Sequence, residues 1–149
     1  MNTSIQPYPS IRVFILFAVV ALLIGFIPIF LLMYILNDLS PASPEKDATV
    51  LLLQIILPAV LLADFIIVKN KIYRENNGIL VAMIICILSC IAWITIFDII
   101  NSVIKSYDVI IDIEFIKIMS AIFCIPGAIA GWLTAFFTLP AKPIPPEEH

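Results

Sequence analysis

Few residues of this chain are of types that could do chemistry, and Asp64 stands in the most costly place. It lies inside an apolar run, Val50 to Val68, four positions from its end. An aspartate at mid-helix costs ~2.5–3.5 kcal/mol on membrane-insertion scales, and such residues serve transporters as proton or cation sites. The plainer expectation is an ion pair with Arg12, Lys69 or Lys71, all of which fall at the same depth. Gln54 sits near the other end of the same run. It could donate to a backbone carbonyl left free by a neighbouring proline, or line a path. Asp64 and Gln54 together form the candidate intramembrane polar site.

Cys86 and Cys90 are one helical turn apart, and Cys124 falls in a later apolar run. Thiolates so spaced could hold a soft metal such as Cu(I). Cysteines in apolar surroundings behave instead as inert small hydrophobes, so no metal is assigned. Asp108, Asp112 and Glu114 form an acidic cluster. A calcium site needs about six or more oxygens in fixed geometry, and nothing in the spacing fixes one, so a solvated rim is expected. The only histidine, His149, is the last residue, which leaves no histidine-based triad or haem ligand. A glycine-rich phosphate loop, HExxH and CxxC are all missing. The chain is therefore expected not to be an enzyme and to use no cofactor.

The elements that position these residues are written in the composition. Of 149 residues, 62% are hydrophobic and 13% charged, against roughly half and a quarter in soluble domains. The apolar residues come in long unbroken runs, which is how membrane proteins distribute them. Four transmembrane helices are expected, at about 13–36, 50–68, 79–97 and 118–139. The first run would reach roughly 36 Å and the second roughly 28 Å, against a hydrocarbon core of ~30 Å. Between the first two, NDLSPASPEKDAT is a loop by its prolines, serines and acids. The first run is too long for a signal-peptide core and is expected to remain as an anchor.

After the third span, Ile99, Ile100, Val103, Ile104 and Tyr107 recur at helical spacing. An amphipathic extension of that helix is expected, followed by a turn through VIIDIEFI into helix four. The tail AKPIPPEEH, residues 140–149, is expected to be extended and mobile. The fold class is thus an all-α integral membrane protein, a single domain over 1–149, with four helices packed as a bundle.

Small residues should bring the helices together, because lipid offers no hydrophobic drive between them. Helix one has Ala21 and Gly25; helix four has Gly127, Gly131 and Ala135 four apart. A GxxxG pair serves packing within a chain or dimerisation between chains. Pro28, Pro58 and Pro126 should free the carbonyls of Ile24, Gln54 and Ile122 and tend to kink their helices; neighbouring side chains are expected to accommodate this, the alternative being a small cavity opening towards the outside.

Lysine and arginine positions orient the chain. Arg12, Lys69, Lys71, Arg74 and Lys142 fall on one side; Lys46, Lys105 and Lys117 fall on the other. Both termini are expected in the cytoplasm, in a bacterial inner membrane, since loops are short and the sequon at Asn2 precedes the first span. A net charge of −3, with no basic patch to neutralise phosphates, argues against nucleic acid as a partner. The functional expectation is interaction within the bilayer, as an accessory subunit of a membrane complex or an immunity-type protein against a membrane-active toxin. Self-association through helix four is a further option. The alternative is an oligomeric transporter or channel using Asp64, which the absence of an internal repeat disfavours.

Overall fold

The computed structural model describes residues 7–36, 52–106 and 113–143. Those residues form α1 (Ser10–Leu36), α2 (Leu57–Lys69), α3 (Asn76–Ser106) and α4 (Ile113–Thr138), with a π-helical turn at Leu52–Ile56 leading into α2. No strand occurs among the described residues. Isoleucine and valine, which favour strands, are here wound into helices, the form that satisfies backbone groups within the segment itself. Two stretches, Asn77–Ile104 and Ile116–Thr138, are long and apolar enough to cross a membrane.

Local chemistry sets several boundaries. Pro58 has no N–H to offer the α ladder, and the chain meets this with the wide turn at Leu52–Ile56 just before α2. The proline expected to kink the second helix thus stands at its α-helical start. At the other end, Lys71 N–H donates to the Val68 carbonyl (3.1 Å) and Ile72 N–H to that of Ile67 (3.2 Å). This is the Schellman pattern, and it places Lys71 at φ 51°, where glycine is usual. Gly78 is required in the first turns of α3, because a Cβ there would strike the Tyr73 carbonyl.

The expected extension of the third helix is present: α3 runs on to Ser106, with Ile100, Val103 and Ile104 exposed along it. Helix four starts at Ile113 rather than Ile118. The turn expected before it falls largely on residues 107–112, outside the described residues, as do the loop at 37–51 and the end of the tail.

Each helix packs on two others: α1 against α2 and α4, and α3 against α2 and α4. Side-chain size is sorted across this arrangement. Ala59, Ala63, Ala82, Ala135, Ser89 and Thr134 are buried, while Leu23, Phe65, Ile104, Ile125 and Phe137 are all more than half exposed. In water such an apolar exterior would be an aggregation surface. Larger side chains enter the interior only in patches, as Val13 and Phe17 in one cluster and Ile55, Ile56, Ile94 and Phe123 in another.

Candidate functional site

Three chain segments meet at one end of the helices. The Tyr8 hydroxyl donates to the Ile72 carbonyl (2.9 Å), and the Tyr8 and Tyr73 rings meet edge-on with centroids 5.2 Å apart. Arg74 N–H donates to the Pro140 carbonyl (2.8 Å), and Lys142 Nζ stands 3.9 Å from Glu75. The start of α1, the α2–α3 connection and the beginning of the tail are therefore tied together. The tail, expected to be mobile, is held at least over 140–142, while residues 144–149 lie outside the described residues. The end so built gathers Arg12, Lys69, Lys71, Arg74 and Lys142, with Glu75 as the acid among them. It brings to one place the five cations that sequence reading put on one side.

Asp64 sits beneath this end, in the wall facing the other helices. It is 0% exposed, between Ala63 and Ile67 in the interior stripe of α2. The ion pair expected with Arg12, Lys69 or Lys71 is not formed, and both carboxylate oxygens are buried without a hydrogen-bond partner. The reason is rotational. Lys69 lies five residues on, about 140° around the helix from Asp64. Its ammonium instead stands 5.9 Å over the ring of Phe65, one turn back on its own face. Sequence depth put the charges at one level without putting them on one side.

Asp64 in turn acts on a residue the sequence reading missed. Burial first, then Tyr73 and Asp64, push the Tyr8 hydroxyl up to about 12. Tyrosine at the mouth of an apolar run is an interfacial signal, so Tyr8 and Tyr73 could have been found from that preference.

Gln54 plays a different part from the one expected. Its side chain is exposed, and it is its backbone carbonyl that is engaged, accepting from Trp93 Nε1 at 2.7 Å. This is the carbonyl that Pro58 deprives of its helical donor. A tryptophan on α3 therefore meets the need that the proline on α2 creates.

The small residues of α4 are used inside the chain. A Cβ on Gly131 would lie 2.9 Å from both Cβ and Sγ of Cys86, and one on Gly127 would lie 3.4 Å from Cys90 Sγ. The cysteine pair of α3 is thus the seat for the GxxxG ridge, and Ala135 continues it fully buried. Ala21 and Gly25 complete the interior from α1. Together these residues border two adjoining cavities of about 40 Å³ each, one of which also touches Pro126. Apolar walls of this kind keep so small a space dry. All three cysteines are free. Among the described residues no three histidine, cysteine or acidic side chains gather around one point. Asp108, Asp112 and His149 lie outside the described residues; Glu114 is exposed and pairs with Lys117 at 2.9 Å.

A third cavity, of about 180 Å³, opens between the start of α1 and the end of α4, with Arg12, Leu16, Phe137 and Thr138 in its walls. Fold and site together define an all-helical protein with two helices long and apolar enough to cross a membrane, small side chains buried between the helices and five cations gathered at one end. No family model, curated protein or solved structure matches the chain.

Proposed function

We propose that the chain is a four-span helical bundle of a bacterial inner membrane, with both termini in the cytoplasm. It works by protein–protein contact in the bilayer, as an accessory subunit of a membrane complex or an immunity-type protein against a membrane-active toxin. The observation that carries this reading is the interior. Among the described residues, the spaces between the helices are two apolar cavities of about 40 Å³ each, too small for a hydrated ion to pass. Work is then left to the outer surface, whose large apolar side chains suit lipid and partner helices alike. The five cations at one end fit the cytoplasmic side of a membrane. Gly127 and Gly131 are occupied by α3, so a second copy or another membrane protein would meet α4 on its Ile125, Ile129 and Trp132 side.

One observation favours the alternative, an oligomeric carrier of small solutes or ions. A buried carboxylate with neither oxygen partnered is costly, and such groups mark ion and proton paths. Purification of the tagged chain in mild detergent, with mass spectrometry of what accompanies it, separates the two. A stoichiometric second protein, retained equally by the Asp64→Asn variant, is the expected result. Recovery as a defined homo-oligomer alone, whose flux in proteoliposomes disappears in Asp64→Asn, would overturn it in favour of the carrier.

A further inference from the structure

We propose that the cavity between the start of α1 and the end of α4 is a binding site for one anionic phospholipid, with Arg12 on the phosphate. Three features of this place set it apart. Its walls set the charged Arg12 beside the apolar Leu16 and Phe137, unlike the spaces between the helices, while the Thr138 hydroxyl is engaged with the Thr134 carbonyl at 2.7 Å. Its cation has no competitor: among the described residues the Arg12 guanidinium makes no ion pair or hydrogen bond. Lys142 stands by Glu75 and Lys69 over Phe65; Lys71 and Arg74 make no ion pair among the described residues either, but of these cations Arg12 alone lines the cavity. Its exits are greasy, with Leu16 39% and Phe137 68% exposed.

Size and depth name the occupant. At roughly 30 Å³ per water, the cavity of about 180 Å³ holds some six water volumes. That suits a phosphate and its glycerol link, with the acyl chains lying outside along Leu16 and Phe137. Arg12 immediately precedes the apolar run of α1, which puts the guanidinium at headgroup level. A planar guanidinium binds phosphate through two parallel hydrogen bonds, a geometry lysine cannot reproduce. Basic pockets between helices on the cytoplasmic side are where anionic headgroups bind. The choice of a lipid over a soluble phosphate follows from the greasy exits.

The inference rests on α1 and α4 lying in the bilayer, and that is checked first by alkaline extraction of membranes. Release of the chain into the aqueous fraction would refute the membrane reading and the lipid site with it. Full-length protein retained in the membrane is then taken up in detergent with equal phosphatidylglycerol and phosphatidylcholine, and the lipid kept is counted by native mass spectrometry. One phosphatidylglycerol per chain is expected. Arg12→Ala should lower its retention by at least about tenfold, the loss of a charge-assisted hydrogen bond. Lys71→Ala, on the same cationic end but outside the cavity, should change retention by no more than about twofold at physiological salt, where surface attraction is screened. Leu16→Trp, which fills the mouth and leaves every charge in place, should also displace the lipid, and it serves as the test should Arg12→Ala fail to accumulate. Equal losses in Arg12→Ala and Lys71→Ala would mean diffuse attraction and overturn the site. Displacement of the lipid by millimolar inorganic phosphate would overturn the choice of lipid.

Discussion

Along α2 and the turn before it, Gln54 and Asp64 are about three helical turns apart and meet opposite fates. At Gln54 the sequence creates a need, a carbonyl robbed of its donor by Pro58, and Trp93 on α3 meets it at 2.7 Å. At Asp64 the sequence places a carboxylate with four potential acceptor sites, and the fold buries both oxygens without a donor. The first is an ordinary settlement between packed helices. The second is a retained cost; the hydroxyls of Ser89, Ser120 and Thr134 are buried without a partner too, but Asp64 is the one acid of that set and the most costly.

Replacing Asp64 breaks that contrast most directly. Asp64→Val removes a buried carboxyl group whose oxygens make no bond, and an apolar residue of similar volume in such a place is stabilising by up to a few kcal/mol. An increase on the order of 2 kcal/mol is expected in detergent unfolding titrations. A decrease would refute the reading of Asp64 as a retained cost. Trp93→Phe sharpens the other half, since the ring is kept and only the donor is lost. It should destabilise by about 1–2 kcal/mol, most of it the unmet Gln54 carbonyl. The same change made together with Pro58→Ala, which restores the helical donor, should recover much of the loss.

The smallest effect is expected at Tyr8. Tyr8→Phe removes the bond to the Ile72 carbonyl and should cost about 1 kcal/mol or less. The pH dependence is more telling than the size. Folding raises the Tyr8 hydroxyl from 10.0 to about 12, so its contribution is complete below pH 10 and is lost as pH rises toward 12. The wild-type chain should lose stability over that window by more than Tyr8→Phe does. Parallel curves for the two would show that the hydroxyl is free in the folded protein.

Much of the helical layout is legible along the chain. Pro9, the polar stretch at 69–78 and the tail prolines mark ends that the fold keeps to within a few residues, because helix formation in apolar runs is a local matter. The exceptions are local too: α4 begins at Ile113 because Ile113, Glu114 and Phe115 continue its first turn, although their alternation imitates a strand. Gly127, Gly131 and Ala135 could be named as packing residues from their spacing. Cys86 and Cys90, with Ala82, are likewise small residues at packing spacing on the third helix; what spacing alone did not show is that the two cysteines are the seat into which Gly131 and Gly127 fit.

Sequence by itself determined that the chain is helical, where its long apolar helices run and which cations share a side, all of which depend on composition and order alone. Tertiary structure decided how each helix is turned about its own axis. Runs that are apolar on every face carry little amphipathic signal to fix that rotation, so contacts between helices fix it instead. Rotation is what buries Asp64 away from Lys69, aims Trp93 at the Gln54 carbonyl and leaves Arg12 unpaired beside a cavity. Each polar residue's role here follows from the direction its helix faces, and that direction is a property of the packed molecule.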